Sequence, residues 1–409
     1  MLEMDVLQPQ QPQLPWAVDA WLQPIVSVEK QKIVGYEALA RGTDTMGQPV
    51  SPAQLFAQAQ ADGFLLELDQ HCRAQAMSRF AQAFPGGDGL YLFVNIDTSV
   101  VCEVLDCGNL HRMARGAGLP VSQIVLELNE RDTIDSDYLL RFVQRHKRQG
   151  FLVALDDVGT GYSNFERMAV LQPDIVKIDR SLLCGIEDSH HKQEIFRTLV
   201  HMASRIGAVT VAEGVETVEQ AHCAMEYGVH LLQGFLFAPP AEAAKLDIVG
   251  TESRISAQAV AFLRHIGGKI REDRLRRQHA DYIMDALVDR LCLGGDDDGM
   301  DDALRTFGCQ DCCAGVECLY VLDGRGIQVS DTVFTRPVVN LRKGLLFYPA
   351  AKGFDHSAKR YFFEMANAGA ERHVSEPYLS NATGNVCETV ARAFALDGVR
   401  RIACVDIRR

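Results

Sequence analysis

The 409-residue chain predicts an α/β protein: an eight-stranded β/α barrel, then a helical linker, then a smaller α+β domain. Three observations predict it. Short apolar runs recur between helical stretches: YLFVNI (91–96), IVLEL (124–128), FLVAL (151–155), DIVKI (174–178), AVTVA (208–212) and HLLQG (230–234). Runs that are apolar throughout suit parallel strands covered on both faces. Their spacing is roughly 20–35 residues, the β/α repeat distance. With strands near 22–28 and 33–38 they number about eight, so a barrel closes near Pro240. Beyond the helical segment the pattern changes to closely spaced short strands around one helix.

Taken in order, residues 1–17 form a lead-in whose QPQQPQLP tract (8–15) reads as disordered. Residues 18–248 form the barrel, with helices such as 137–149 and 192–207 between strands. Residues 249–302 form a linker helix and an acidic loop. Ala259, Leu263, Ile266 and Ile270 follow 4-3-4 spacing, and Ile283, Leu287 and Leu291 resume it. Such a stripe packs either on a partner helix or on its own domain. The loop GGDDDGMDD (294–302) reads as a solvated linker, because its spacing does not match a calcium loop. Residues 303–409 form the second domain. Its expected strands are 317–323, 326–331, 373–380, 388–394 and 400–407, with a helix at 357–369.

Composition narrows the function. With 47% hydrophobic and 23% charged residues the chain has material for a core. No window approaches 18 apolar residues, so no membrane-spanning helix is expected. The N-terminus has neither the basic nor the apolar region of a secretory signal, so a cytoplasmic location is expected. A net charge of −13 argues against a sequence-blind nucleic-acid binder. In a reducing compartment the twelve cysteines are expected as thiols.

Polar residues recur at the C-terminal ends of the expected strands, where barrel chemistry resides. They are Glu37 and Arg41 in EALAR, Asn95, Glu127 and Glu130 in LELNE, Asp156 and Asp157, Lys177 and Asp179, Glu213 and Glu216, and Gln233. One carboxylate at a strand end is commonly a helix cap. Repetition on strand after strand converges them on one mouth, where they repel unless protonated or bound to cations. Oxygen ligands without histidine or cysteine suit Mg²⁺ or Mn²⁺. A two-metal site would clamp both reacting oxygens of a phosphodiester. Lys177 would position water or stabilise charge, and Arg41 would hold a phosphate. The loop VGTGYS (158–163) reads as a mobile segment that closes on the metals.

EALAR (37–41), LFVNID (92–97), VLELNE (125–130), ALDDVGTGYS (154–163), PDIVKIDRSL (173–182), VAEGVET (211–217) and QGFLFAPP (233–240) together resemble the EAL-domain cyclic-di-GMP phosphodiesterases. The resemblance covers about residues 18–245. It implies a TIM-like barrel and metal-dependent hydrolysis of cyclic di-GMP to linear pGpG. It implies Glu37, Asn95, Glu127 and Asp156 as metal ligands and Asp157 at a second metal. Lys177 and Glu213 would handle the catalytic water, and Glu130 would anchor the mobile loop. Gln23, Leu39, Arg41, Asp179, Glu216 and Gln233 would make substrate or supporting contacts. The chain departs from the family pattern at Val158 and Asn129. A homodimer built on the barrel, the 253–293 helix or both is also implied. The alternative is a catalytically silent cyclic-di-GMP receptor; the complete set of ligands favours the enzyme.

In the C-terminal part LYVLDGRGIQVSD (319–331), KRYFFEMA (359–366), SEPYLSNATGN (375–385) and ACVDI (403–407) resemble PAS-like or Cache-type sensor domains. That resemblance implies a small-molecule ligand, with Arg360, Tyr378 and Asp406 as pocket residues or as structural ones, and regulation of the barrel. Cys309, Cys312, Cys313 and Cys318 crowd into ten residues. They would bind zinc or an iron–sulfur cluster, act in redox, or stay free thiols.

Overall fold

A computed structural model describes residues 15–97, 108–129, 136–160, 164–294, 299–336, 348–367, 369–380 and 382–408. The chain divides into two compact units, Met1–Gly267 and Gly268–Arg409. Of the expected lead-in, residues 1–14 lie outside the described residues.

The first unit begins with a hairpin, β1 (Ala17–Ser27) and β2 (Lys32–Thr43), followed by β3 (Pro49–Val50), α1 (Pro52–Asp62) and α2 (Leu65–Ala83). Then come β4 (Tyr91–Ile96), α3 (Gly108–Gly116), β5 (Ile124–Leu128), α4 (Ser136–Arg148), β6 (Leu152–Val158), α5 (Asn164–Leu171) and β7 (Ile175–Ile178). The unit continues through α6 (Arg180–Leu183), α7 (His190–Arg205), β8 (Val209–Ala212), α8 (Val218–Glu226) and β9 (Leu231–Gln233). The strands β2 and β4 to β9 run parallel. β9 returns to β1, which also pairs with β2, so eight strands close a barrel.

The expectation of repeated β/α units holds with one difference: β1 is antiparallel to both its neighbours. Only residues 28–31 separate it from β2, and a parallel pairing would need a crossover of a dozen residues or more.

Strand alternation sorts the barrel's side chains. The outward set, including Leu92, Val94, Leu126, Val153, Leu155 and Val176, packs against the helices. The inward set forms a separate plug: Ile25, Phe93, Val125, Ala154, Ile175, Val211 and Leu231. Ile255, at the start of the long helix α9 (Ile248–Leu293), is fully buried in the first unit's core.

The second unit holds the later part of α9, then α10 (Met300–Gly308), β10 (Val316–Asp323), β11 (Val333–Phe334), α11 (Arg360–Asn367), β12 (Arg372–Val374), β13 (Tyr378–Leu379), β14 (Val386–Leu396) and β15 (Val399–Arg408). The sheet is antiparallel, in the order β11-β10-β15-β14-β12, with β13 on β14. Ile283, Leu287 and Leu291 of α9 and Leu304 and Phe307 of α10 pack on one face, against Leu319, Val321, Ala403 and Val405. Tyr361, Phe362 and Met365 of α11 pack on the other, against Tyr320, Leu322, Ile402 and Cys404. The later half of the apolar stripe thus lies on its own unit, while Leu263 and Ile270 stay exposed.

Two expected strands differ. Residues 326–331 make only isolated bridges, Leu322 to Gln328 and Ile327 to Asp355. Asp323 Oδ1 accepts from the backbone N–H groups of Arg325 and Ile327 and winds this stretch into a turn. Residues 373–380 split into β12 and β13 around Pro377, which has no N–H to give a ladder. The acidic stretch also differs: α10 starts at Met300, and residues 295–298 lie outside the described residues.

Candidate active site

Six residues of the barrel mouth each sit two positions beyond a plug residue. Phe93 precedes Asn95, Val125 precedes Glu127, Ala154 precedes Asp156, Ile175 precedes Lys177, Val211 precedes Glu213 and Leu231 precedes Gln233. With a side-chain period of two, the same inward face continues from apolar plug to polar mouth. On the reversed β1 the step runs backwards, from Ile25 to Gln23, and Gln23 pairs across to Glu37.

Lys177 is the hub. Its Nζ lies 2.5 Å from Glu213 Oε1, 2.6 Å from Glu127 Oε1, 3.2 Å from Asp156 Oδ1 and 3.3 Å from Glu37 Oε2. Burial opposes its charge, but Asp156, Glu127, Glu213 and Glu37 hold its pKa well above the ordinary lysine value. Burial lifts Glu127 well above the usual carboxylate range, and the neighbouring carboxylate of Glu37 adds to the rise. Burial also raises Glu213, against the pull of Lys177. Glu37 goes the other way. Burial would raise it, but Lys177 and hydrogen bonds from Gln233 and Asn95 lower it. Gln233 Nε2 donates to Glu37 Oε2 at 2.6 Å and to Gln23 Oε1 at 3.1 Å, and Asn95 Nδ2 donates to Glu37 Oε1 at 3.1 Å.

The adjacent aspartates need a special backbone. A regular strand would send Asp156 and Asp157 to opposite faces. Instead the pairing of β6 with β7 slips between Leu155 and Val158, so one extra residue bulges there. Asp157 takes φ 54°, in the left-handed region. Thr160 donates to the Asp157 carbonyl through both its N–H and its hydroxyl and pins the turn. As a result oxygens of Asp156, Asp157 and Glu213 lie within 4.8 Å of one another.

These residues fit divalent cations. Glu127 Oε2 is buried without a hydrogen-bond partner among the described residues, and the Asp156–Asp157–Glu213 group adds hard oxygen donors. Lys177 supplies cationic charge at their centre.

The flanking candidates separate into distinct positions. Arg41 lies over the Trp21 ring, 5.1 Å from its centroid, and donates to the Ala40 carbonyl. Leu39 lines the same cavity as Glu37 and Asn95. Asp179 caps α6 through Ser181 N–H, and Glu216 lies 3.8 Å from Arg180. Glu130 and residues 161–163 lie outside the described residues. Sequence reasoning missed Trp21 and the buried pair Asp69–Arg73, 2.7 Å apart, which lines the cavity beside Glu37. An i,i+4 pair on a helix reads as surface, and only the docking of α2 shows that it is buried.

The four clustered cysteines do not form one group: Cys312 contacts Cys313, with Cys309 nearby, while Cys318 stands apart. Cys309 is exposed, and Cys313 Sγ turns inward to the Phe307 carbonyl at 3.3 Å. Cys318 points to the opposite face of the sheet, 3.5 Å from Asp406 Oδ2. Strand alternation separates it from the others.

The EAL domain family model matches residues 17–240. The chain is 30% identical over 223 residues to the probable cyclic di-GMP phosphodiesterase PdeD of Escherichia coli K12, covering 54% of this chain and 41% of that one. It therefore spans about two-fifths of that relative's length. The crystal structure of the Bacillus subtilis YkuI protein, with an EAL domain, in complex with substrate c-di-GMP and calcium, superposes with a TM-score of 0.76. It is 24% identical and covers 96% of each chain, so both units share their fold with it. A manganese/cy-diGMP complex of Klebsiella pneumoniae BlrP1 is 30% identical, with a TM-score of 0.51, covering 58% of this chain and 59% of that one. Among the described residues no helix is long and apolar enough to cross a membrane.

Proposed function

This chain belongs to the EAL domain family, and on that premise we propose that it is a metal-dependent phosphodiesterase that opens cyclic di-GMP to linear pGpG. The observation that carries the reading is the single inward layer of acid and amide groups around Lys177, two residues beyond the plug. The manganese and cyclic dinucleotide in BlrP1 support it.

Glu37, Asn95, Glu127 and Asp156 would hold one Mg²⁺ or Mn²⁺, with Asp157 at a second. Divalent cations held there supply Lewis-acid polarisation of a phosphoryl oxygen and acidify the attacking water. Glu213 takes the proton of that water. Lys177 stabilises the charge that develops on the phosphoryl oxygens. One P–O3′ bond breaks, the 3′ oxygen gains a proton, and the phosphate left on the 5′ oxygen keeps the hydroxyl of water. Gln23, Gln233, Arg41 and Leu39 position the dinucleotide, and Asp179 and Glu216 hold the turns around it.

The second unit acts as a PAS-like or Cache-type sensor for the barrel. Its antiparallel sheet with a cavity on one face supports that reading. The protein works as a homodimer, with Leu263 and Ile270 of α9, 73% and 62% exposed, available for pairing.

The test is hydrolysis of cyclic di-GMP by purified protein with Mg²⁺ or Mn²⁺ and with chelator. Turnover that requires the cation and disappears in Glu37→Ala is expected. Glu213→Gln should lose about 10²–10⁴-fold in rate while still binding the dinucleotide. Tight binding without any turnover would assign the chain as a silent receptor instead.

A further inference from the structure

We propose that Arg254, on the first turns of α9, is a positioning residue for Glu37. It fixes the segment 234–241 after β9, whose Ala238 carbonyl sets the orientation of the Gln23–Gln233 amide pair on that carboxylate. The inference rests on the proposed reading of Glu37 as a metal ligand.

The amide pair has one direction. An ionised carboxylate accepts hydrogen bonds and donates none. Gln233 therefore turns its Nε2 toward Glu37, and the same Nε2 donates to Gln23 Oε1. Gln23 Nε2 is left to point away, and it donates to the Ala238 carbonyl at 3.2 Å. Gln233 Oε1 is buried without a hydrogen-bond partner among the described residues, so no bond of its own fixes that oxygen. Gln23 and Gln233 are 7% and 4% exposed, which leaves little room for water to replace a lost acceptor. Without the Ala238 carbonyl, a flip of Gln23 would offer its amide nitrogen to Gln233. Gln233 would then flip in turn and present an oxygen to the Glu37 carboxylate, where two acceptors repel.

The segment is held on its barrel side by backbone bonds. Leu22 and Ala241 exchange N–H donors at 2.8 and 3.0 Å, and the Leu236 N–H donates to the Val215 carbonyl at 3.0 Å. The N–H groups of Phe237 and Ala238 both donate to the Gly234 carbonyl, at 3.1 and 3.2 Å. Gly234 permits the close approach, since a Cβ there would stand 2.1 Å from the Val215 carbonyl oxygen. Arg254 supports the other side. Its Nε donates to the Phe237 carbonyl, and its Nη2 donates to Asp247 Oδ2 at 3.2 Å and Thr251 Oγ1 at 3.3 Å. Phe237 and Ile255, the neighbour of Arg254, are both fully buried in the first unit's core, which anchors the two ends of that bond. The Phe237 carbonyl and the Ala238 N–H belong to one peptide plane. Ala238 precedes Pro239, which restricts its own torsions to the extended region. The direction of the Ala238 carbonyl thus follows from the plane that Arg254 holds.

The measurement is calorimetric titration of Mn²⁺ into the full chain, with hydrolysis of cyclic di-GMP followed beside it. Groups that orient a metal-binding carboxylate commonly carry about 10–100-fold in affinity. Arg254 stands further out, so Arg254→Ala should weaken Mn²⁺ by at least about threefold. Arg254→Lys, which keeps a donor for the Phe237 carbonyl, should stay within about twofold of the parent. Gln23→Met breaks the relay, and in that background Arg254→Ala should change Mn²⁺ affinity by less than about twofold. Melting curves in chelator check that each variant folds. Should Arg254→Ala not fold, Ala238→Gly replaces it: glycine frees the torsions that aim the carbonyl, and Mn²⁺ should again weaken by at least about threefold. Parental Mn²⁺ affinity in the folded variant, or the same loss with and without Gln23, would overturn the proposal. A parent that binds Mn²⁺ without hydrolysing cyclic di-GMP would sink the phosphodiesterase reading and leave this one to the titrations. A parent that binds no Mn²⁺ would overturn both.

Discussion

Lys177 Nζ lies 2.6 Å from Glu127 Oε1, with both side chains sealed from solvent. Neither charge is tolerable there alone. Three further carboxylates within 3.3 Å make the lysine a cation that the barrel mouth requires. Lys177→Met, which keeps the length of the side chain, should therefore cost about 3–5 kcal/mol of stability in chelator. Mn²⁺ should restore a large part of it, since cations bound only by the folded chain stabilise by mass action. Denaturant melts with and without Mn²⁺ check this; a variant as stable as the parent in chelator would remove Lys177 from its assigned role.

Asp157 combines a carboxylate proposed to meet a metal with a left-handed backbone. The two contributions separate by substitution. Asn adopts that conformation readily, whereas a β-branched residue does not. Asp157→Asn should keep the melting temperature and lose hydrolysis. Asp157→Val should lose hydrolysis and also about 1–3 kcal/mol of stability. Equal stability of the two variants would show that the bulge exerts no strain.

His356 gives a pH dependence with a defined sign. Its pKa falls from 6.5 to about 4 on folding, because burial disfavours the imidazolium and Lys359 adds repulsion. Between those values the unfolded chain binds more protons than the folded one. Its contribution is therefore complete above pH 6.5 and is lost as the pH falls toward 4. His356→Gln removes this titration. Melting temperature followed from pH 7.5 to 4.5 should fall more steeply for the parent than for the variant; parallel curves would contradict the assignment.

Regulation by the second unit is tested by truncation, and the structure decides where to cut. Ending the chain near residue 250 would remove Ile255 from the first unit's core. A chain ending at Gly267 keeps it. That fragment should stay folded while changing in turnover or in the mass seen by light scattering. A fragment that matches the full chain in rate, metal affinity and oligomeric state would make the second unit a passenger.

Much of the site is legible in the sequence because strand chemistry is local. YLFVN, IVLE, FLVALD, DIVK, AVTVAE and HLLQ each write a buried strand and, at its end, the group it presents. Period-two alternation then fixes which residues share the inward face. The α+β character of residues 300–408 is legible for the same reason. Four features depend on packing between distant segments. β1 runs against its neighbours because a short turn joins it to β2. Asp157 joins Asp156 and Glu213 only through a register slip against β7, which a single strand's sequence does not display. Cys318 parts from Cys309, Cys312 and Cys313 because β10 turns it to the other face. The Asp69–Arg73 pair is buried only because α2 docks on the barrel. The sequence by itself determined which groups stand at the strand ends. Their register, burial and protonation were decided by the closed barrel, because charge and solvent exclusion depend on all the neighbours at once.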